Sequence, residues 1–167
     1  MFRSYLLATA IGFLSTGTLH AGLEVRFVEG APKDQFTINN VGRCDLSSST
    51  LRVDLSPSSG RLIFDVSEAG AGVEVFQPLE FIDGAEALLD APPVVDGQDF
   101  IELQIASLKA GSSISFSIDV DDTIGQREIT VSGSEIAGAT VTYSKEGESS
   151  TAVFSADAQT LLTIPDC

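Results

Sequence analysis

The densest supply of potential ligands in the chain is the run Asp119-Val120-Asp121-Asp122-Thr123. Three carboxylates within four residues, at the end of an alternating segment and just ahead of Gly125, offer what a hard cation needs. Ca²⁺ takes about 6–8 oxygen ligands, drawn from loop carboxylates, carbonyls and water. In an extended chain Asp119 and Asp121 share one side, and Asp122 faces the other unless the loop turns. A second acidic turn, Asp96-Gly97-Gln98-Asp99, adds Asp96 and Asp99 to the candidate set of Asp119, Asp121 and Asp122. The spacing is not that of an EF-hand loop, which needs alternating acids before a Gly and a distal Glu. The competing reading is a solvated acidic turn without a metal.

Other chemistries are narrowed by residue type. The one His is His20, near the start, so the rest of the chain cannot build a Ser–His–Asp triad, a Cys–His pair or a His-ligated metal centre. No G-x-x-x-x-G-K phosphate loop is present. Gly70-Ala71-Gly72 lacks the Lys and the following helix of such a loop and reads as a tight connection. Two carboxylates could still hydrolyse a glycoside without His. Sugar clefts, however, use aromatic platforms; the chain has no Trp, and most Phe residues fall on apolar faces. The expectation is therefore no enzyme, with a His-free carboxylate glycoside hydrolase as the remaining catalytic alternative. Arg43, Arg52 and Arg61 could hold anions, but on alternating strands cross-strand pairing with Asp or Glu is expected instead.

The start of the chain has a basic residue, Arg3, then an apolar stretch from Tyr5 to Leu14, then small and polar residues ending Leu19-His20-Ala21. That layout predicts a secretory signal peptide over residues 1–21. The apolar run is shorter than the ~20 residues a spanning helix needs, and no later segment could span as a helix. Residues 22–167 then form one domain of ordinary size, secreted, periplasmic or held at the cell surface. All 24 acidic residues lie in that part, within a chain of net charge −15. Such a field disfavours nucleic acid and anionic lipid and favours cations, basic partners and solubility. Cys44 and Cys167 both lie in the exported part, and two thiols in an oxidising compartment predict one disulfide. Closing a loop of ~100 residues is worth roughly 4–5 kcal/mol in the chain-entropy account.

These residues must be positioned by strands, because period-two alternation runs through the exported part. Leu23, Val25 and Phe27 alternate with Glu24 and Arg26; Leu51, Val53 and Leu55 with Arg52 and Asp54; Ile101, Leu103 and Ile105 with Glu102 and Gln104. Ile114, Phe116, Ile118 and Val120 alternate with Ser113, Ser115, Ser117 and Asp119. Each pattern writes one face for a core and one for water. Further strands are predicted over 35–39, 62–66, 73–77, 127–132, 140–145, 151–155 and 160–164. Turn residues at Asn39–Gly42, Pro57–Gly60, Asp83-Gly84, Asp96-Gly97, Ala110-Gly111 and Glu146-Gly147 separate them. One helical turn is allowed between Gly84 and Asp90, stopped by Pro92-Pro93. Some ten short strands with frequent turns predict an all-β antiparallel sandwich, Ig-like or jelly-roll. Phe27, Phe36, Phe64, Phe76, Phe116 and Val131 are its expected core.

Several uninterrupted strings resemble the core subunit of sponge aggregation factors, whose repeating unit is the Wreath domain. They are Phe27-Val28-Glu29-Gly30-Ala31-Pro32-Lys33-Asp34, Leu62-Ile63-Phe64-Asp65, Gly70-Ala71-Gly72-Val73-Glu74-Val75-Phe76-Gln77, Phe116-Ser117-Ile118-Asp119-Val120-Asp121-Asp122-Thr123 and Val131-Ser132-Gly133-Ser134-Glu135-Ile136-Ala137-Gly138-Ala139. The resemblance spans nearly all of the exported part and corresponds to one unit. It implies extracellular, non-enzymatic assembly or adhesion, calcium-dependent in the sponge family, and no catalytic residues. The chain departs from the family's glycan-bearing members in having no Asn-x-Ser/Thr acceptor. The alternative is a calcium- or glycan-binding extracellular module; candidate partners are a second copy, an extracellular protein or a glycan, with calcium as the one candidate cofactor.

Overall fold

A computed structural model describes residues 21–67, 77–124 and 131–164. Their fold is an all-β sandwich of antiparallel sheets, as the alternation predicts. The strands are β1 (Ala21–Val28), β2 (Asp34–Asn40), β3 (Leu46–Asp54), β4 (Ile63–Phe64), β5 (Glu80–Asp83), β6 (Phe100–Leu108), β7 (Ser113–Ile118), β8 (Val120–Asp121), β9 (Thr140–Lys145), β10 (Glu148–Val153) and β11 (Gln159–Ile164). One sheet runs β11-β1-β2-β7-β5 and the facing sheet β10-β9-β3-β6, while β4 and β8 form a short ladder of their own. The allowed helical turn is a single 3₁₀ turn at Ala85–Ala87. It starts from Gly84, whose φ of +72° and contact with the Ser113 carbonyl leave no room for a β-carbon. Predicted strand 62–66 shrinks to β4. Strand candidates 73–77 and 127–132 fall largely outside the described residues, as do residues 1–20.

One hydrophobic core joins the inner faces of both sheets. Phe27, Phe36, Phe64, Phe116 and Val131 are buried there as expected, and Phe76 lies outside the described residues. Register pairs Phe27 with Phe36, Phe36 with Phe116, and Phe116 with Phe81, so four rings line up across β1, β2, β7 and β5. Their centroids stand 5.1, 5.2 and 6.0 Å apart, and Phe64 meets Phe36 edge-on at 6.4 Å. Each such pair adds about 0.5–1.5 kcal/mol beyond its buried area. On the outer face of the other sheet, Arg52 bonds Asp54 at 3.1 Å, stands 3.5 Å from its register partner Glu102, and lies over the Phe100 ring. Cross-strand pairing is what the alternating charges predicted for it.

The central strand β2 gives the sandwich two polar ends. At its C-terminus Asn40 is buried, and its side chain donates to the carbonyls of Cys44 (2.8 Å) and Leu108 (3.1 Å) while accepting from Gly42 N–H (3.1 Å). Asp34 opens the strand at the other end, beside the β4–β8 ladder.

Candidate functional site

Asp34 is in phase with Phe36 and Ile38 and points inward with them. Buried at 2 % exposure, it accepts Gly30 N–H on Oδ1 (3.0 Å) and Val120 N–H on Oδ2 (3.1 Å), tying the β1–β2 turn to β8. Burial pushes its acid up to about 7, against the pull of those two amides, and the charges of Asp119 and Asp121 add to the rise.

β4 is held from both sides. Asp65 N–H donates to the Asp119 carbonyl, while Phe64 N–H donates to Gln98 O and Gly97 N–H to Phe64 O. The loop 95–98 thus lies along the outer edge of β4, and Asp96 Oδ1 accepts the amides of Val66 (3.1 Å) and Ser67 (3.3 Å). The Asp65 side chain is caught between these layers with 1 % exposure, and neither of its carboxylate oxygens receives a hydrogen bond. Its neighbour is the Asp96 carboxylate. Burial first, then the contact with Asp96, then the charges of Asp96, Asp121 and Asp119 push Asp65 up to about 7. Asp119 is raised to about 6 by burial and by Asp121, with the Val120 amide and Lys33 pulling the other way. The Lys33 ammonium reaches Glu80 (2.7 Å) and the Pro78 carbonyl (3.1 Å).

Of the residues singled out in the sequence, Asp96, Asp119 and Asp121 come into one electrostatic neighbourhood. Asp122 Oδ1 accepts Ile124 N–H in its own turn, and Asp99 gives its main-chain carbonyl to Leu55 N–H. Among the described residues no three carboxylates converge tightly enough to hold a metal ion by themselves. Asp34 and Asp65 were not singled out. Asp34 carries a legible signal, an acid in phase with a core face, whereas Asp65 carries none. No cysteine among the described residues is free, and Cys167 lies outside them. Two surface cavities, of about 290 and 540 Å³, lie away from these aspartates, the first around Cys44, Tyr143 and Glu148, the second around Ser49, Gln104 and Ser144.

No helix among the described residues is long and apolar enough to cross a membrane. Comparison with protein-family models, with curated proteins and with solved structures finds no match.

Proposed function

We propose that this chain is an exported, non-enzymatic assembly or adhesion module whose association depends on a hard divalent cation. The observation that carries this reading is the gathering of Asp34, Asp65, Asp96, Asp119 and Asp121 around the β4–β8 ladder, at one end of a chain of net charge −15. Copies of so acidic a protein repel one another until counter-charge is supplied. Calcium supplies it in the form that carboxylate-rich surfaces accept. The resemblance to aggregation factor cores points the same way. Sheet edges offer a means of contact: β6 is nine residues long and stands at the end of its sheet, where Leu88 and Leu89 pair only with its Gln104–Ile105 stretch. A Cys44–Cys167 disulfide belongs to the same exported setting, and alkylation of the unreduced protein followed by mass spectrometry should label neither thiol. Sedimentation velocity with calcium and with chelator tests association. A larger species in calcium is expected; a monomer in both conditions would refute self-assembly.

A further inference from the structure

We propose that Asp65 and Asp96 found a binding site for one hard divalent cation, calcium by its chemistry, between β4 and the 95–98 loop. It deepens the cation-dependent reading above by giving the ion an address that the Asp119–Asp122 run does not make on its own. The starting point is Asp65. A carboxylate at 1 % exposure normally gathers amide or cationic donors, as the equally buried Asp34 does. Asp65 gathers none on either oxygen. What faces it is a second carboxylate, whose Oδ1 is already turned toward the amides of Val66 and Ser67. Two carboxylates in contact can be reconciled only by a shared proton or by a cation between them.

The chemistry selects the ion. The acidic side chains gathered here, Asp65, Asp96, Asp119 and Asp121, offer carboxylate oxygens, which disfavours the transition metals that prefer nitrogen or sulfur. Asp119 and Asp121 add negative field, so a monovalent ion would leave most of the charge uncompensated. Calcium tolerates irregular shells completed by main-chain carbonyls and water, whereas magnesium demands near-ideal octahedral geometry. Because no three ligating side chains converge among the described residues, the shell leans on carbonyls and water. That sets affinity at the weak end, roughly 10⁻⁴–10⁻³ M, the range of extracellular calcium modules.

The test is thermal melting of the purified protein in 10 mM CaCl₂ and in chelator, with isothermal titration of calcium alongside. Wild type should bind one calcium and melt roughly 3–8 °C higher in calcium. Asp65→Asn keeps the shape and removes the charge. It should lose the rise and melt at or above wild type in chelator, which also shows that it folds. Asp96→Asn keeps an acceptor for Val66 and Ser67 and should weaken binding at least tenfold. The exposed Asp157→Asn should behave as wild type. Equal wild-type melting in calcium and chelator, or a rise that survives Asp65→Asn, overturns the site. Sedimentation of the same samples separates the two ideas. Association in calcium that survives Asp65→Asn keeps assembly and overturns the site. A rise abolished by Asp65→Asn in a protein that stays monomeric establishes the site and refutes self-assembly.

Discussion

The two ends of β2 solve the burial of a polar side chain in opposite ways. Asn40 is neutral, and its amide engages three main-chain groups, so the cost of taking it out of water is offset on the spot. Asp34 and Asp65, at the other end, carry charge into the interior. Asp34 has two amide donors and Asp65 has none. One end is complete within the chain; the other is complete only with a proton or a cation. Substitutions on β2 and around it can break or sharpen that contrast.

The largest expected effect comes from the residue between the ends. Phe36 is fully buried, stacks on Phe116, lies tilted against Phe27 and meets Phe64 edge-on. Phe36→Ala should cost about 3–5 kcal/mol in urea denaturation, equally in calcium and in chelator. A loss confined to one condition would mean that the core is not shared by both ends. Next, Asn40→Ala removes both bonds to the Cys44 and Leu108 carbonyls and should cost about 2–3 kcal/mol. Here too calcium should make no difference, because that end is far along the strand from the aspartates.

Much of the frame was written in the alternation. Leu23-Val25-Phe27 and Ile114-Phe116-Ile118 mark inward faces that the structure buries without exception. Asp34 and Asn40 share the inward phase of Phe36 and Ile38, so both ends of β2 were legible in principle. Asp65 was not. Alternation after Leu62 and Phe64 sends it toward water, yet β4 is only two residues long and its outer side is covered by a loop some 30 residues further on. A local pattern cannot report a cover that arrives from a distant segment. The Asp119–Asp122 run is split by the fold, with Asp119 and Asp121 near Asp65 and Asp122 apart. Density along the chain is not convergence in space, and Asp122 is engaged in its own turn.

Acid should discriminate the ends as well. Asp34 and Asp65 sit near 7 in the folded protein, above the ordinary value of 3.8. The folded state therefore holds protons that the unfolded chain has already released, and stability falls as pH rises between about 4 and 7. That contribution is complete below about pH 4 and lost once pH passes the folded value. Glu24 and Asp54 are shifted downward, so their contribution is lost only on acidification below the ordinary range, outside this window. In chelator, urea denaturation should give greater stability at pH 5 than at pH 8, by on the order of 1–3 kcal/mol. Greater stability at pH 8 in chelator would contradict the picture of an uncompensated acidic end.

The smallest effect, and the sharpest comparison, belongs to Lys33. Its ammonium bonds Glu80 and the Pro78 carbonyl, and its charge steadies the ionised form of Asp119. Lys33→Met keeps the apolar stem and removes the charge. In chelator at low ionic strength it should destabilise by about 1 kcal/mol or less, since Glu80 is largely in water and such pairs are worth little. Added salt should shrink the loss further. The sign reverses once calcium is present. A cation next to the aspartates opposes the arrival of another, so removing Lys33 should tighten calcium binding and enlarge the calcium-induced rise in Tm. Arg26→Gln serves as the comparison, because Arg26 pairs with Glu24 on β1 and is half in water. It should leave the calcium response unchanged. If Lys33→Met and Arg26→Gln respond to calcium alike, Lys33 is an ordinary surface charge and the field at the acidic end is weaker than its geometry implies.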